Sequence, residues 1–225
     1  MSRDVVLLDA GGTLFEERET RDETYSRLLA AQGLDVGVEA TAALRKKVHD
    51  AMLAEAPAQT PYTTAWFREF VRRLLAELGS RADPEPVRRQ LAEHFARPEH
   101  FVVHADAHPA LEELTTRGVR LGVVSNWSDQ LPALLQALDL WEPFEVVAVS
   151  AVVGHTKPDA ALFHWALERM GARPGQALHV GDHAVNDVAG ARRAGLAAVL
   201  LDRSASVDAP GVISSLAEIP AHLAG

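Results

Sequence analysis

The stretch Val5-Val6-Leu7-Leu8-Asp9-Ala10-Gly11-Gly12-Thr13 decides the fold. Its four leading residues are all apolar, without polar alternation, so they read as a strand covered on both faces. Such strands belong to parallel sheets flanked by helices. Two glycines then end the strand and demand a loop. The same pattern returns beyond residue 106. Apolar strands are expected at 119–124, 144–149, 177–180 and 197–201, with a last short element at 213–216. Between them lie helical stretches at 107–117, 128–138, 158–170 and 184–194, with Gly118, Gly171 and Gly195 as stops. Strands alternating with helices of this length make βαβ units, hence an α/β fold with a parallel sheet.

The chain from 16 to about 100 differs in character. Tyr62, Trp66, Phe70, Leu74 and Leu78 form a stripe at i+4 spacing, and Leu44, Val48 and Met52 form another. Asp83-Pro84 reads as a helix start, with Val87, Leu91 and Phe95 on its apolar face. Four helices are expected, a bundle-like unit whose aromatics form its core. The organisation is a discontinuous core, 1–15 and 104–225, interrupted by a helical insertion at 16–103. Two linkers on one side make the insertion a hinged lid over the strand ends.

Composition narrows the class. The 225 residues carry a net charge of −9, unsuited to non-specific nucleic-acid binding. Cys is absent, which excludes disulfides, thiolate catalysis and Cys–zinc sites. No apolar run approaches the ~18 residues of a membrane span. The first apolar run is too short for a signal peptide, so a cytoplasmic protein, monomer or homodimer, is expected. Only Lys46, Lys47 and Lys157 are lysines against 19 arginines, so each Lys is an informative choice.

In an open parallel sheet, ligands bind beyond the carboxyl ends of the strands. Polar residues gather there: Asp9, then Ser125-Asn126, then Lys157, then Gly181-Asp182 with Asp187. Singly, each has an ordinary reading as a helix cap, a turn residue or a solvated charge. Together they make a functional cluster. Three carboxylates against one Lys call for a divalent cation, and oxygen donors suit Mg²⁺. Ser125, Asn126 and the helix start after them offer donors to a phosphate. Asp9 beside the cation and Lys157 is a plausible covalent nucleophile.

The pieces VVLLDAGGTLF (5–15), RLGVVSN (120–126), HTKPD (155–159) and HVGDHAVNDVAGARRAG (179–195) resemble the haloacid dehalogenase (HAD) superfamily in order and spacing. The resemblance covers essentially the whole chain. It implies a Rossmann-like three-layer core, a helical C1-type cap, Mg²⁺ and a phosphoaspartyl intermediate on a small phosphorylated metabolite. By position it makes Asp9 the nucleophile, Ser125 the phosphate-binding hydroxyl and Lys157 the orienting lysine. Asp182 and Asp187 become metal-site acids, and the carbonyl of Gly11 joins Asp9 as a ligand.

The chain departs from the pattern at Gly11, where family phosphatases usually carry a second Asp that serves as acid and base. Loss of such a group removes about 10²–10⁴ in rate. A phosphohydrolase built this way favours good leaving groups such as acyl or aryl phosphates. His183, Glu16 and His155 are candidate substitutes. A metal-independent 2-haloacid dehalogenase resembles the chain in its first motif, although Gly181-Asp182 is the metal-binding form of the last. Phosphonatase-like chemistry would need Lys46 or Lys47, which read better as a solvated helix face. A degenerate member would bind Mg²⁺ and phosphate without turnover. Trp127 reads as packing rather than pocket lining.

Overall fold

The computed structural model describes residues 3–55, 61–204 and 209–224, and divides the chain into two compact units, Met1–Glu16 with Val102–Gly225, and Glu17–Phe101.

The first unit holds a six-stranded parallel sheet in the order β5-β4-β1-β6-β7-β8. Its strands are β1 (Val5–Leu8), β4 (Arg120–Ser125), β5 (Phe144–Val149), β6 (Ala177–Gly181), β7 (Ala197–Leu201) and β8 (Val212–Ile213). All four residues of β1 are buried, as a strand walled by helices on both sides requires. Leu8 pairs with Val123 on one side and Val180 on the other. The chain leaves β1 toward β4 and β5 in one direction and is completed by β6, β7 and β8 in the other. The order therefore reverses at β1, and the crevice at its carboxyl end is the switch point where such sheets bind ligands.

Helices α5 (Ala107–Thr116), α6 (Leu131–Ala137), α7 (Ser150–Val153), α8 (Ala160–Arg169) and α9 (Gly190–Arg193) connect these strands. Leu162, Phe163, Ala166 and Leu167 of α8 are buried among Val5, Leu7 and Ala148 of the sheet. Three starts differ from expectation. The helix expected from 158 begins at Ala160, where the Asp159 side chain caps it by accepting the Ala161 N–H. The helix placed at 128 begins at Leu131, because Ser128 turns first and its carbonyl accepts the Leu131 N–H. The stretch 184–194 opens as a π-turn, Ala184–Ala189, before α9. The last short element is β8 followed by a 3₁₀ segment, Leu216–His222.

The second unit contains α1 (Arg21–Ala30), α2 (Val38–Glu55), α3 (Thr64–Glu77) and α4 (Glu85–Ala96). Thr20 and Glu23 close a capping box at the head of α1, satisfying N–H groups the helix cannot. Trp66 stacks on Phe70 at 5.1 Å, and both are buried with Leu29, Val48, Leu74 and Leu91. Each such side chain contributes about 1.5–3 kcal/mol by burial. The aromatic stripe is core, as expected. Asp83 does not cap α4 in the expected register: its carboxylate accepts the Glu85 N–H, and Pro84 occupies the cap position. Lys46 and Lys47 are exposed on α2 and paired with Asp50 and Glu77. A two-stranded sheet of β2 (Phe15–Glu17) and β3 (Phe101–Val103) was not foreseen in the linkers.

Candidate active site

Asp9 follows β1 directly, and its backbone N–H donates to the Val180 carbonyl, extending the β1–β6 ladder by one residue. The loop then folds tightly on itself. The Leu14 N–H reaches the Ala10 carbonyl at 2.8 Å, and the Gly12 N–H reaches Phe15 at 2.8 Å. Gly12 has φ +80°, open to a residue without a Cβ, and a Cβ there would fall 2.2 Å from an Asp182 oxygen. That glycine lets the Asp182 carboxylate lie over the loop.

Lys157 ties the cluster together. It is buried, with Nζ 2.8 Å from Asp9 Oδ1 and 2.6 Å from Asp187 Oδ1. Burial lowers its pKa, but Asp9 and Asp187 outweigh that and hold it above the usual lysine value. Asp187 is fully buried on the π-turn, a local irregularity that recurs at functional sites. It accepts from Lys157, from His179 Nε2 at 3.0 Å and from the His183 backbone N–H at 2.9 Å. Burial raises its pKa, yet these partners hold it below the ordinary carboxylate range. Asp182 is open to solvent at residue level, but its carboxyl is turned inward over Gly12. Desolvation there, with the charges of Asp9 and Asp187, pushes it up to about 6.

The carboxylates of Asp9, Asp182 and Asp187 offer oxygens that all lie within 4.8 Å of one another. One lysine cannot balance three such charges. The crowding of three carboxylates and the raised Asp182 both mark a deficit of positive charge, so the residues fit a divalent cation held by oxygens. Gly11, whose carbonyl belongs to the expected ligand set, stands in the same loop.

Ser125 ends β4 and is buried at the next strand end. Asn126 spends both amide atoms on one neighbour: Oδ1 accepts the Lys157 N–H at 2.8 Å and Nδ2 donates to the Lys157 carbonyl at 3.0 Å. It fixes the backbone of Lys157. Of the candidate proton donors, His183 uses Nδ1 to accept the Val185 and Asn186 N–H groups. His155 is exposed and paired with Asp159, and Glu16 is exposed on β2. Among the described residues none of these three side chains hydrogen-bonds Asp9, Lys157 or Asp187.

Sequence reasoning missed one participant, His179, and read Trp127 only as packing. His179 lies inside apolar β6, fully buried, with its ring edge-on to Phe163. A lone His in a buried strand beside Gly181-Asp182 was the available signal. Trp127 stands over Gly11: a Cβ placed there would fall 2.8 Å from Trp127 Cζ3.

Comparison with known proteins gives the family. The haloacid dehalogenase-like hydrolase family matches residues 3–195. The haloacid dehalogenase-like hydrolase domain-containing protein 3 of Danio rerio is 32% identical over 97% of this chain and 95% of its own length. A phosphoserine phosphatase of Thermus thermophilus is 36% identical over 65% of this chain and 60% of its own. The crystal structure of a 2-haloacid dehalogenase from Pseudomonas syringae superposes with a TM-score of 0.69 at 26% identity, covering 100% of this chain and 99% of that one. With its parallel sheet, its switch-point aspartate and these relatives, the chain is a hydrolase that belongs to the haloacid dehalogenase-like family.

Proposed function

We propose that this hydrolase is a Mg²⁺-dependent phosphohydrolase acting on a small phosphorylated metabolite through an aspartyl-phosphate on Asp9. The observation that carries the reading is Lys157 Nζ bridging Asp9 and Asp187, 2.8 and 2.6 Å away, inside a three-carboxylate cluster. That surplus of negative charge repels an anionic substrate unless a divalent cation shares the site.

Asp9, Asp182 and Asp187, with the Gly11 carbonyl, would hold Mg²⁺. The ion supplies charge neutralisation to the phosphoryl oxygens. Lys157 lies against one Asp9 oxygen and leaves the other to attack phosphorus. Asn126 fixes the lysine backbone, and Ser125 offers a hydroxyl to the phosphoryl group at the end of β4. As the Asp9–phosphorus bond forms, the bond to the leaving oxygen breaks, and that oxygen keeps the electron pair. Gly11 supplies no proton, so acyl and aryl phosphates are the favoured substrates. Water then cleaves the acyl phosphate and regenerates Asp9.

The test is phosphate release from acetyl phosphate and p-nitrophenyl phosphate, with Mg²⁺ or EDTA, for the wild type and Asp9→Asn. Release that needs Mg²⁺ and vanishes in Asp9→Asn is expected. Equal release by both proteins contradicts the proposal. The bare Gly11 favours a second reading, a 2-haloacid dehalogenase, because halide departs unprotonated. Chloride release from 2-chloropropionate in EDTA would establish it. Turnover of neither substrate class would leave a Mg²⁺- and phosphate-binding protein.

A further inference from the structure

We infer that Trp127 keeps position 11 bare and thereby restricts the hydrolase to leaving groups that depart without a proton; this rests on the phosphohydrolase reading above. Three atoms of the indole cover the Gly11 Cα. A Cβ there would lie 2.8 Å from Cζ3, 3.6 Å from Cη2 and 3.8 Å from Cε3. Both sides are packed. Trp127 is only 8% exposed, and its ring meets fully buried Phe15 edge-on, with centroids 5.8 Å apart. Its backbone N–H donates to Ser150 Oγ at 3.1 Å, and its carbonyl accepts the Ser150 hydroxyl at 3.2 Å and the Ala151 N–H at 3.3 Å. On the other side, Gly11 is bridged to Phe15 within its own tight loop.

Any side chain at position 11, a carboxylate included, must therefore displace a buried indole packed against Phe15. No proton donor can reach the leaving oxygen from that position. When Asp9 attacks and the phosphorus–oxygen bond breaks, the oxygen must leave as a stable anion. The substrates this selects are acyl, enol or aryl phosphates and phosphoanhydrides, rather than alkyl esters. Trp127 is thus a specificity-determining residue that acts through the backbone it covers.

The test uses the full chain as wild type, Gly11→Asp, Trp127→Ala and the double variant. Trp127→Leu replaces the alanine variant if that does not fold. In EDTA, Gly11→Asp alone should lower Tm by roughly 3–10 °C, the range for overpacking in a domain of this size. In the Trp127→Ala background the same change should cost little. An equal loss in both backgrounds, or none in either, overturns the interlock. In Mg²⁺, the wild type should prefer p-nitrophenyl phosphate over phenyl phosphate by about 100-fold or more in kcat/KM, and the double variant should narrow that ratio at least ~10-fold. An unchanged ratio in the folded double variant overturns the restriction. A wild type that hydrolyses neither ester, indistinguishable from Asp9→Asn, overturns the phosphohydrolase reading itself, while the melting cycle still decides the steric claim.

Discussion

Asn126 and His179 never touch Asp9, yet each fixes a group that surrounds it. Asn126 brackets the Lys157 backbone with two hydrogen bonds, and His179 donates to the Asp187 oxygen that also receives Lys157. Displacing a reacting group by about 1 Å can cost up to 10²-fold in rate. Asn126→Ala should therefore lower kcat on p-nitrophenyl phosphate by about 10–100-fold with little change in KM. An unchanged kcat would show that Lys157 needs no such clip. His179→Leu removes a buried donor and should cost about 1–3 kcal/mol in urea unfolding. The sequence made Asp9, Lys157 and Asp187 legible because each is polar and stands at, or in the segment following, a strand end. It hid His179 inside an apolar strand. It also hid the grip of Asn126 on Lys157, which joins residues 31 apart in the chain.

At the scale of the element, α4 carries a titratable weakness. His94 is buried near its end, 3.3 Å from Thr24 Oγ1, with its ring 3.8 Å from that of His100. Burial first, then the charges of His100, Arg27 and Arg97, push its pKa down to about 4 against the pull of Glu19. The unfolded chain takes up that proton from about pH 6.5. Stability is therefore full above 6.5 and is lost as pH falls from 6.5 toward 4, by up to about 3 kcal/mol. His94→Phe should flatten this dependence in urea unfolding between pH 7.5 and 5. Parallel losses in variant and wild type would contradict it. The helices themselves were legible from i+4 stripes long enough to repeat. The β2–β3 pair was not, since three-residue strands carry no period. The π-turn was not either, since its extra residue per turn leaves no mark in composition.

Across the whole molecule, one ion pair joins segments far apart in the first unit. Arg203 grips Asp106 through two bonds of 3.0 Å and donates to the Thr13 carbonyl at 2.9 Å. Asp106 also accepts from Ser215 Oγ and the Leu216 N–H. Burial opposes ionisation, but Arg203 and these donors hold Asp106 at about 2. Arg203→Met should cost roughly 2 kcal/mol at neutral pH, the worth of hydrogen bonds to a charged group. The difference from wild type should shrink as pH falls from the ordinary value of 3.8 toward 2, where the carboxylate protonates. Among the described residues no helix is long and apolar enough to cross a membrane. The architecture was legible because strand and helix alternate with clear glycine stops. The clamp was not, because neither an arginine after β7 nor an aspartate before α5 names its partner. The central claim, that Asp9 carries the phosphoryl group, is tested most directly by intact mass. Acetyl phosphate is mixed with the protein in Mg²⁺, quenched in acid within the first turnover and weighed. One added phosphoryl group on the wild type, mapped to Asp9 and absent from Asp9→Asn, is the predicted result. An unmodified wild type that releases phosphate, or a phosphorylated Asp9→Asn, would contradict the account.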